Sequence, residues 1–284
     1  MNDAASLLVM GIVNVTPDSF SDGGQWLDPA AAIGHCRDLI ADGADLLDIG
    51  AESTRPGFEE VPAPAQIDRL LPVLEGLGEV AVPLSVDTRD ARVAQAAIQA
   101  GATIVNDVSG GTHDRAMMGL IAETGVEYIC QLWRRDSPAR GWRAAFDDLL
   151  GRRDACLDAG IAGENIILDP GLGFGNSLDD DWQVLSNIEV LTQLPHRVLI
   201  GASRKRFLRL GAIPESTQET GAGIADAAGI AVTAWCATHG VWAVRTHTVA
   251  DHKQAIAVTG RLATENGKRG NRASDGRKNE RTRS

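Results

Sequence analysis

Eight short apolar runs of this chain each end in a polar or charged residue, and a helix-like segment follows each run. The residues at these ends are Asn14, Asp48, Asp87, Asn106–Asp107, Gln131, Asp169, Ser203–Lys205 and Arg245–His247. Carboxylates and carboxamides can bind a metal or hold the ring N–H and amino groups of a flat heterocycle, whereas clustered cations suit a pyrophosphate-like anion. We therefore expect a ligand site with an acidic part and a cationic part.

A strand followed by a helix, repeated eight times, predicts a single (β/α)8 TIM barrel of the α/β class. In that fold the carboxyl ends of all strands meet at one mouth, where the active site lies. The predicted strands are 7–15, 45–50, 82–87, 103–107, 126–132, 165–169, 197–202 and 241–245, and the predicted helices are 29–41, 63–76, 90–100, 114–124, 142–159, 181–193, 220–238 and 250–264. A doubly wound open sheet is the alternative, but the chain lacks a Gly-rich dinucleotide fingerprint after its first strand.

Composition divides the chain into a barrel, residues 1–265, and a basic tail, residues 266–284. The tail has seven Lys/Arg against two Asp/Glu and so carries a formal charge of +5. Because the whole chain has a formal charge of −11, residues 1–265 carry −16. This acidic body argues against nucleic acid as a ligand. The tail has no apolar periodicity, and we expect it to be disordered, with weak polyanion binding as its alternative role.

Two long loops, 15–28 and 51–64, follow the first two strands, and loops of this length are often lids or binding loops. The four cysteines have no metal-ligand spacing, which indicates buried thiols in a reducing compartment. No signal peptide or membrane-spanning run is evident, so we expect a cytoplasmic protein without a membrane partner.

Several of the polar residues have simpler explanations. Helix N-capping explains Asp90 and Asp114 well, but it explains Asp87 and Asp169 less well because they directly follow strands. Ser203–Arg206 could be a solvated basic turn. The histidines other than His247 are expected on the surfaces of helices or loops; they are His35, His113, His196, His239 and His252. Phe20 and Phe174 lie among Gly, Ser and Asp in mouth loops, where an aromatic residue often lines a pocket.

Seven runs of the sequence resemble the dihydropteroate synthase family, the folate-pathway barrel enzymes that sulfonamides inhibit. They occur in the family's order and spacing and cover roughly residues 8–262. The runs are 10–24 (MGIVNVTPDSFSDGG), 48–57 (DIGAESTRPG), 85–88 (SVDT), 105–111 (VNDVSGG), 168–175 (LDPGLGFG), 201–208 (GASRKRFL) and 244–247 (VRTH).

The resemblance implies condensation of 6-hydroxymethyl-7,8-dihydropterin pyrophosphate with p-aminobenzoate, with Mg²⁺ as cofactor and a homodimer as the assembly. It assigns the pterin to Asp87, Asn106, Asp169 and Lys205, the Mg²⁺ to Asn14, and the pyrophosphate to Thr54, Arg245 and His247, with Arg55 and Asp48 in support. It assigns the p-aminobenzoate pocket to Phe20, Pro56, Phe174 and Thr54. Ser53, Gly173, Ser203 and Arg204 are further predicted substrate-binding residues. The dimer would form through the outer helices at 181–193, 220–238 and 250–264.

The chain departs from the family's usual residues at four places. Gln131–Arg134 stand where Met-His is usual, so an anion contact from that His is in doubt, although Arg134 could replace it. Asn176 stands where many members have Lys, Thr248 where Asp is common, and Arg206 where some members have Ser. Two alternatives therefore stay open: a pterin-binding paralogue without catalysis, and a methyltetrahydrofolate-dependent methyltransferase. The anion-binding residues argue against the methyltransferase.

Overall fold

The computed structural model of the chain describes residues 7–16, 28–52, 60–134, 141–211 and 221–281. Of residues 211, 221–224 and 267–281 it describes the backbone alone. The predicted residues Phe20, Ser53, Thr54, Arg55 and Pro56 lie outside the described residues, as do most of the two long loops.

Eight parallel strands close into a barrel in sequence order, so the predicted (β/α)8 fold is confirmed. The strands are β1 (Leu8–Asn14), β2 (Leu46–Gly50), β3 (Leu84–Asp87), β4 (Ile104–Asp107), β5 (Glu127–Gln131), β6 (Ile166–Asp169), β7 (Arg197–Ile200) and β8 (Ala243–Thr246). The barrel closes through β1 and β8, with Met10 opposite Arg245. Each predicted strand is present, with ends that differ by one or two residues.

The described helices surround the barrel. They are α1 (Pro29–Ala41), α2 (Ala63–Leu77), α3 (Ala91–Gln99), α4 (Ala116–Thr124), α5 (Gly141–Asp158), α6 (Leu178–Ser186), α7 (Glu189–Thr192), α8 (Arg206–Gly211), α9 (Gly221–Ala237) and α10 (Val249–Arg281). Local signals set several of their ends. Asp28 caps α1 by accepting from the backbone N–H of Ala30, and Asp90 caps α3 in the same way. No described helix combines the length and apolarity needed to cross a bilayer.

The interior of the barrel is closed at one end by a layer of apolar side chains, which we call the floor. The floor consists of Met10, Leu46, Ile104, Ile129, Ile167, Leu199 and Ala243. The alternate residues of the strands point outward and form a second apolar core against the helices. All four cysteines are buried and unpaired, as predicted. Burial raises the pKa values of Cys36 and Cys236 to about 12.

The structure differs from the predicted helices at three places. The predicted helix 181–193 is two helices, α6 and α7, because the side chain of Asn187 donates to the carbonyl of Gln183 and competes with the helical backbone. The short α8 was not predicted, because its basic first turn shows no apolar periodicity. The predicted helix 250–264 is part of a longer helix, α10, whose backbone is helical from Val249 to Arg281, and the disorder predicted for residues 266–284 stays a prediction.

His252 is also placed differently from the prediction, because it is buried between α9 and β8. Its Nδ1 lies 2.6 Å from Thr233 Oγ1, and its Nε2 lies 2.8 Å from Thr246 Oγ1. Burial lowers the pKa of this imidazole. The surface interpretation of His252 is therefore wrong, since the spacing of a helix does not show that two threonines face one of its polar residues.

Candidate active site

A polar layer lies two residues above the floor on the barrel strands, and we call it the mouth layer. It consists of Asp48, Ser85, Asn106, Gln131, Asp169 and Arg245, all buried except Arg245, which is largely so. Alternation along a strand explains this arrangement, because residues two apart point to the same side. Five of the six follow a floor residue at this spacing, for example Gln131 after Ile129 and Asp169 after Ile167. The strand ends therefore converge as predicted.

Asp48 is the hub of the mouth layer. Its side chain is fully buried and accepts hydrogen bonds from Ser85 Oγ at 2.7 Å and from Asn106 Nδ2 at 2.9 Å. The Nε atom of Arg245 lies 2.6 Å from Asp48 Oδ2. A buried carboxylate is stable only with such partners. Asp48 thus fixes the orientation of the Asn106 amide, whose oxygen Oδ1 has no hydrogen-bond partner among the described residues.

Asp87 lies two residues beyond Ser85 on β3 and pairs with Arg245. The Nη2 atom of Arg245 donates to Asp87 Oδ2, so one guanidinium bridges Asp48 and Asp87. Burial raises the pKa of Asp87 to about 6, although the charge of Arg245 opposes this shift. The structure therefore brings Arg245 to Asp48 and to the predicted pterin residue Asp87.

Asp169 and Lys205 form the second charged part of the site, beside the loop that follows β6. Asp169 Oδ1 accepts from the backbone N–H of Gly171 at 2.8 Å, and burial raises the pKa of this carboxyl to about 6. Burial and the nearby charge of Arg245 together lower the pKa of Lys205 to about 8. The Nζ atom of Lys205 lies 3.9 Å from the centre of the Phe174 ring, a cation–π contact.

Gly173 fits closely against the stem of Lys205. A Cβ atom on this residue would lie 3.1 Å from Lys205 Cδ, and its φ of +74° is a conformation that favours glycine. Its backbone N–H donates to the carboxylate of Asp181, which also accepts from Asn176 Nδ2 at 3.0 Å. Asn176, one of the departures, thus supports the loop that carries Gly173 and Phe174. The sequence interpretation missed Asp181, since it belongs to a run of acidic residues at a helix start.

The predicted anion residues after β7 and β8 divide into two groups. Ser203 Oγ and His247 Nδ1 lie 2.9 Å apart, so these two residues meet at the mouth as expected. Arg204 instead pairs with Asp226 on α9, with its Nε 2.8 Å from Oδ1. Its φ of 58° is left-handed, the only such value among the described non-glycine residues. Its predicted role in substrate binding stays a prediction.

Arg134, proposed as a replacement for the usual His, is buried beneath the loop after β6. Its Nη2 atom lies 3.0 Å from Asp148 on α5, and its backbone N–H donates to the carbonyl of Phe174. Trp133 meets Phe174 edge to face at 6.1 Å, and the guanidinium of Arg89 lies over the Trp133 ring. This departure from the family's usual residues therefore packs around Phe174.

Asn14 ends β1 on the inner side of the barrel, opposite Gly50, and is half-buried. No cluster of three His, Cys, Asp or Glu that could hold a metal occurs in the described part of the chain. Mg²⁺ commonly takes one or two protein oxygens and completes its octahedron with substrate phosphates and water. A single carboxamide oxygen at the mouth fits that mode, whereas it would not fit an all-protein metal site.

Comparisons with known proteins agree with this geometry. Residues 10–247 match the family described as pterin binding enzyme. The dihydropteroate synthase of Mycobacterium leprae is 40% identical over 272 residues, which cover 90% of this chain and 93% of that protein. Two crystal structures of the Xanthomonas albilineans dihydropteroate synthase are also similar. The one with 4-aminobenzoic acid has 37% identity and a TM-score of 0.84, covering 92% of this chain and 94% of that one. The complex with 7,8-dihydropteroate has 35% identity and a TM-score of 0.81, covering 92% and 95%.

This chain belongs to the pterin-binding enzymes, and within them to the dihydropteroate synthase family. The family membership confirms the resemblance that its seven sequence runs indicated. It also supports small molecules as the substrates of this site.

Proposed function

We propose that this chain is an active dihydropteroate synthase that joins 6-hydroxymethyl-7,8-dihydropterin pyrophosphate to p-aminobenzoate. The observation that carries the proposal is the mouth layer together with the adjoining Asp87 and Lys205. Within this group Asp48 holds the Asn106 amide, and Arg245 bridges Asp48 and Asp87. The floor below this layer is apolar, so it marks the depth to which a flat polar heterocycle can enter.

We assign pterin recognition to Asp87, Asp169, Asn106 and Lys205. The two carboxylates and the Asn106 oxygen are acceptors suited to ring N–H and amino groups, while the Lys205 ammonium is a donor. Asp87 and Asp169 have raised pKa values of about 6, so both are mainly ionised at neutral pH. These negative charges would stabilise a cation that develops on the pterin methylene.

In the proposed reaction the methylene C–O bond breaks, and its electron pair leaves with the pyrophosphate. The neutral amine of p-aminobenzoate then forms the new C–N bond and releases a proton to solvent. We assign the leaving anion to Arg245, Ser203 and His247, together with the predicted residues Ser53, Thr54 and Arg55. Mg²⁺, held by Asn14, would neutralise charge on the leaving group. No side-chain nucleophile is required.

The decisive experiment measures pyrophosphate release by the purified protein, with the dihydropterin pyrophosphate, p-aminobenzoate and Mg²⁺ each omitted in turn. We expect release only when all three are present. Pterin binding by calorimetry without any release would instead identify a binding-only paralogue. Release that is independent of Mg²⁺ would contradict the cofactor assignment alone.

A homodimer through the outer helices is supported by exposed apolar side chains on those helices. Val258 and Leu262 of α10 are 60% and 62% exposed and share a helix face at a spacing of four, and Trp235 of α9 is 45% exposed. We expect light scattering to give twice the chain mass, and Leu262→Glu to reduce it to one chain. Leu157→Glu, an exposed site on α5, is the control. A monomeric wild type would contradict the assembly. The cytoplasmic location stays a prediction.

A further inference from the structure

Gln131 is a mouth-layer residue to which neither the resemblance nor the proposed reaction gives a role. It ends β5, only 2% of it is exposed, and its Nε2 atom has no hydrogen-bond partner among the described residues. A buried amide donor without a partner costs free energy, because it has lost its hydrogen bonds to water. Such an atom in a ligand site indicates that a ligand supplies the missing acceptor.

The position of Gln131 in the barrel directs it to the same cavity as the pterin residues. It follows the floor residue Ile129 by two positions, so both side chains point inward. In the strand register it stands opposite Asp169. The neighbouring strand β4 contributes Asn106, whose Oδ1 is also without a partner. An unpaired donor and an unpaired acceptor thus lie on adjacent strands of the mouth layer, with Asn106 opposite Ile129, two residues before Gln131.

The orientations of the residues that neighbour Gln131 are fixed by other hydrogen bonds. Asp169 Oδ1 accepts from the backbone of Gly171, and the Asn106 amide is held by Asp48. Neither can turn toward Gln131 without giving up one of these hydrogen bonds. Among the pterin residues Asp87, Asp169 and Asn106 supply acceptors, so the site holds few donors for the carbonyl oxygen and unprotonated nitrogens of a pterin ring.

We propose that Gln131 donates a hydrogen bond through Nε2 to an acceptor atom of the pterin ring and so determines pterin affinity in this enzyme. This inference rests on the proposed function, since it names a further contact of the same site. It also gives a role to the departure from the family's usual residues at the end of β5.

Gln131→Met is the test variant, because Met matches Gln in length and flexibility but has no amide. Calorimetry would measure the Kd of 6-hydroxymethyl-7,8-dihydropterin pyrophosphate in the absence of p-aminobenzoate. We expect about a tenfold weaker Kd, the effect of one hydrogen bond. The KM for p-aminobenzoate at saturating pterin should not change. Gln95→Met, an exposed site on α3, is the matched control.

A thermal denaturation measurement separates this role from a structural one. The Tm of ligand-free Gln131→Met should equal or exceed that of the wild type, because the substitution removes an unpaired buried donor. An unchanged pterin Kd, or equal weakening of both substrates, would overturn the inference. If the wild type itself bound no pterin, the proposed function would fail first, so the two failures are distinguishable.

Discussion

The floor and the mouth layer lie two residues apart on the same strands, but they are stabilised in different ways. Floor residues such as Ile129 and Ile167 need only apolar neighbours, which any close packing supplies. Mouth-layer residues such as Asp48 and Asn106 each need a partner with defined geometry. The comparison shows that the floor serves the stability of the barrel, whereas the mouth layer has unpaired atoms that a ligand can satisfy.

The largest effect should come from a truncation in the floor. Ile129→Ala removes a fully buried side chain, so we expect the free energy of unfolding to fall by about 2–5 kcal/mol. Urea denaturation measures this change, and Leu157→Ala, at an exposed site of α5, is the control. The KM values of the surviving folded enzyme should stay close to those of the wild type. Loss of pterin binding without loss of stability would reverse the roles given to the two layers.

Lys205→Ala tests the charged part of the site next. We expect kcat/KM for the pterin substrate to fall about 100-fold or more, because the buried cation is lost and the acceptor that it would meet is left without a donor. Thermal denaturation should show no large decrease in Tm. The matched control is Lys253→Ala, whose ammonium pairs with Asp45 at the opposite end of the barrel. Near-normal turnover in Lys205→Ala would refute the site.

The affinity for the pterin substrate should fall on both sides of neutral pH. Below pH 6, protonation of Asp87 and Asp169 removes two acceptors, and above pH 8, Lys205 loses its charge. Affinity should drop about tenfold per pH unit for each required group, after the ligand's own titration has been measured separately. Lys205→Arg should move the alkaline limb upward, since arginine stays charged. An alkaline limb that does not move would point to another group.

The smallest effect is expected for a hydrogen bond inside the mouth layer that no ligand replaces. Ser85→Ala leaves one oxygen of the buried Asp48 without its donor, so stability should fall by about 1.5–3 kcal/mol. Turnover should change by only a few-fold, because Asn106 and Arg245 still hold Asp48. Ser186→Ala, an exposed site on α6, provides the comparison in denaturation. A catalytic loss as large as that of Lys205→Ala would make Ser85 part of the substrate site.

The sequence predicted the barrel, each strand and the convergence of polar strand ends, because these follow from alternation and from apolar runs. The side-chain contacts between different strands of the barrel could not be predicted from the sequence. The contacts of Arg245 with Asp48 and Asp87 join residues far apart in the chain. The orientations of the side-chain amides could not be predicted either. Only the structure shows that Asp48 holds the Asn106 amide and that Nε2 of Gln131 lacks a partner among the described residues.

Because all four cysteines are buried, the native protein should not react with thiol-specific labels. Maleimide reagents attack the thiolate, and the thiols of Cys36, Cys130 and Cys236 are both inaccessible and hard to ionise. A single cysteine placed at exposed Glu60, in the second long loop just before α2, would carry a fluorophore alone. No cysteine-free background is then needed to follow substrate-induced changes near the mouth by site-specific labelling.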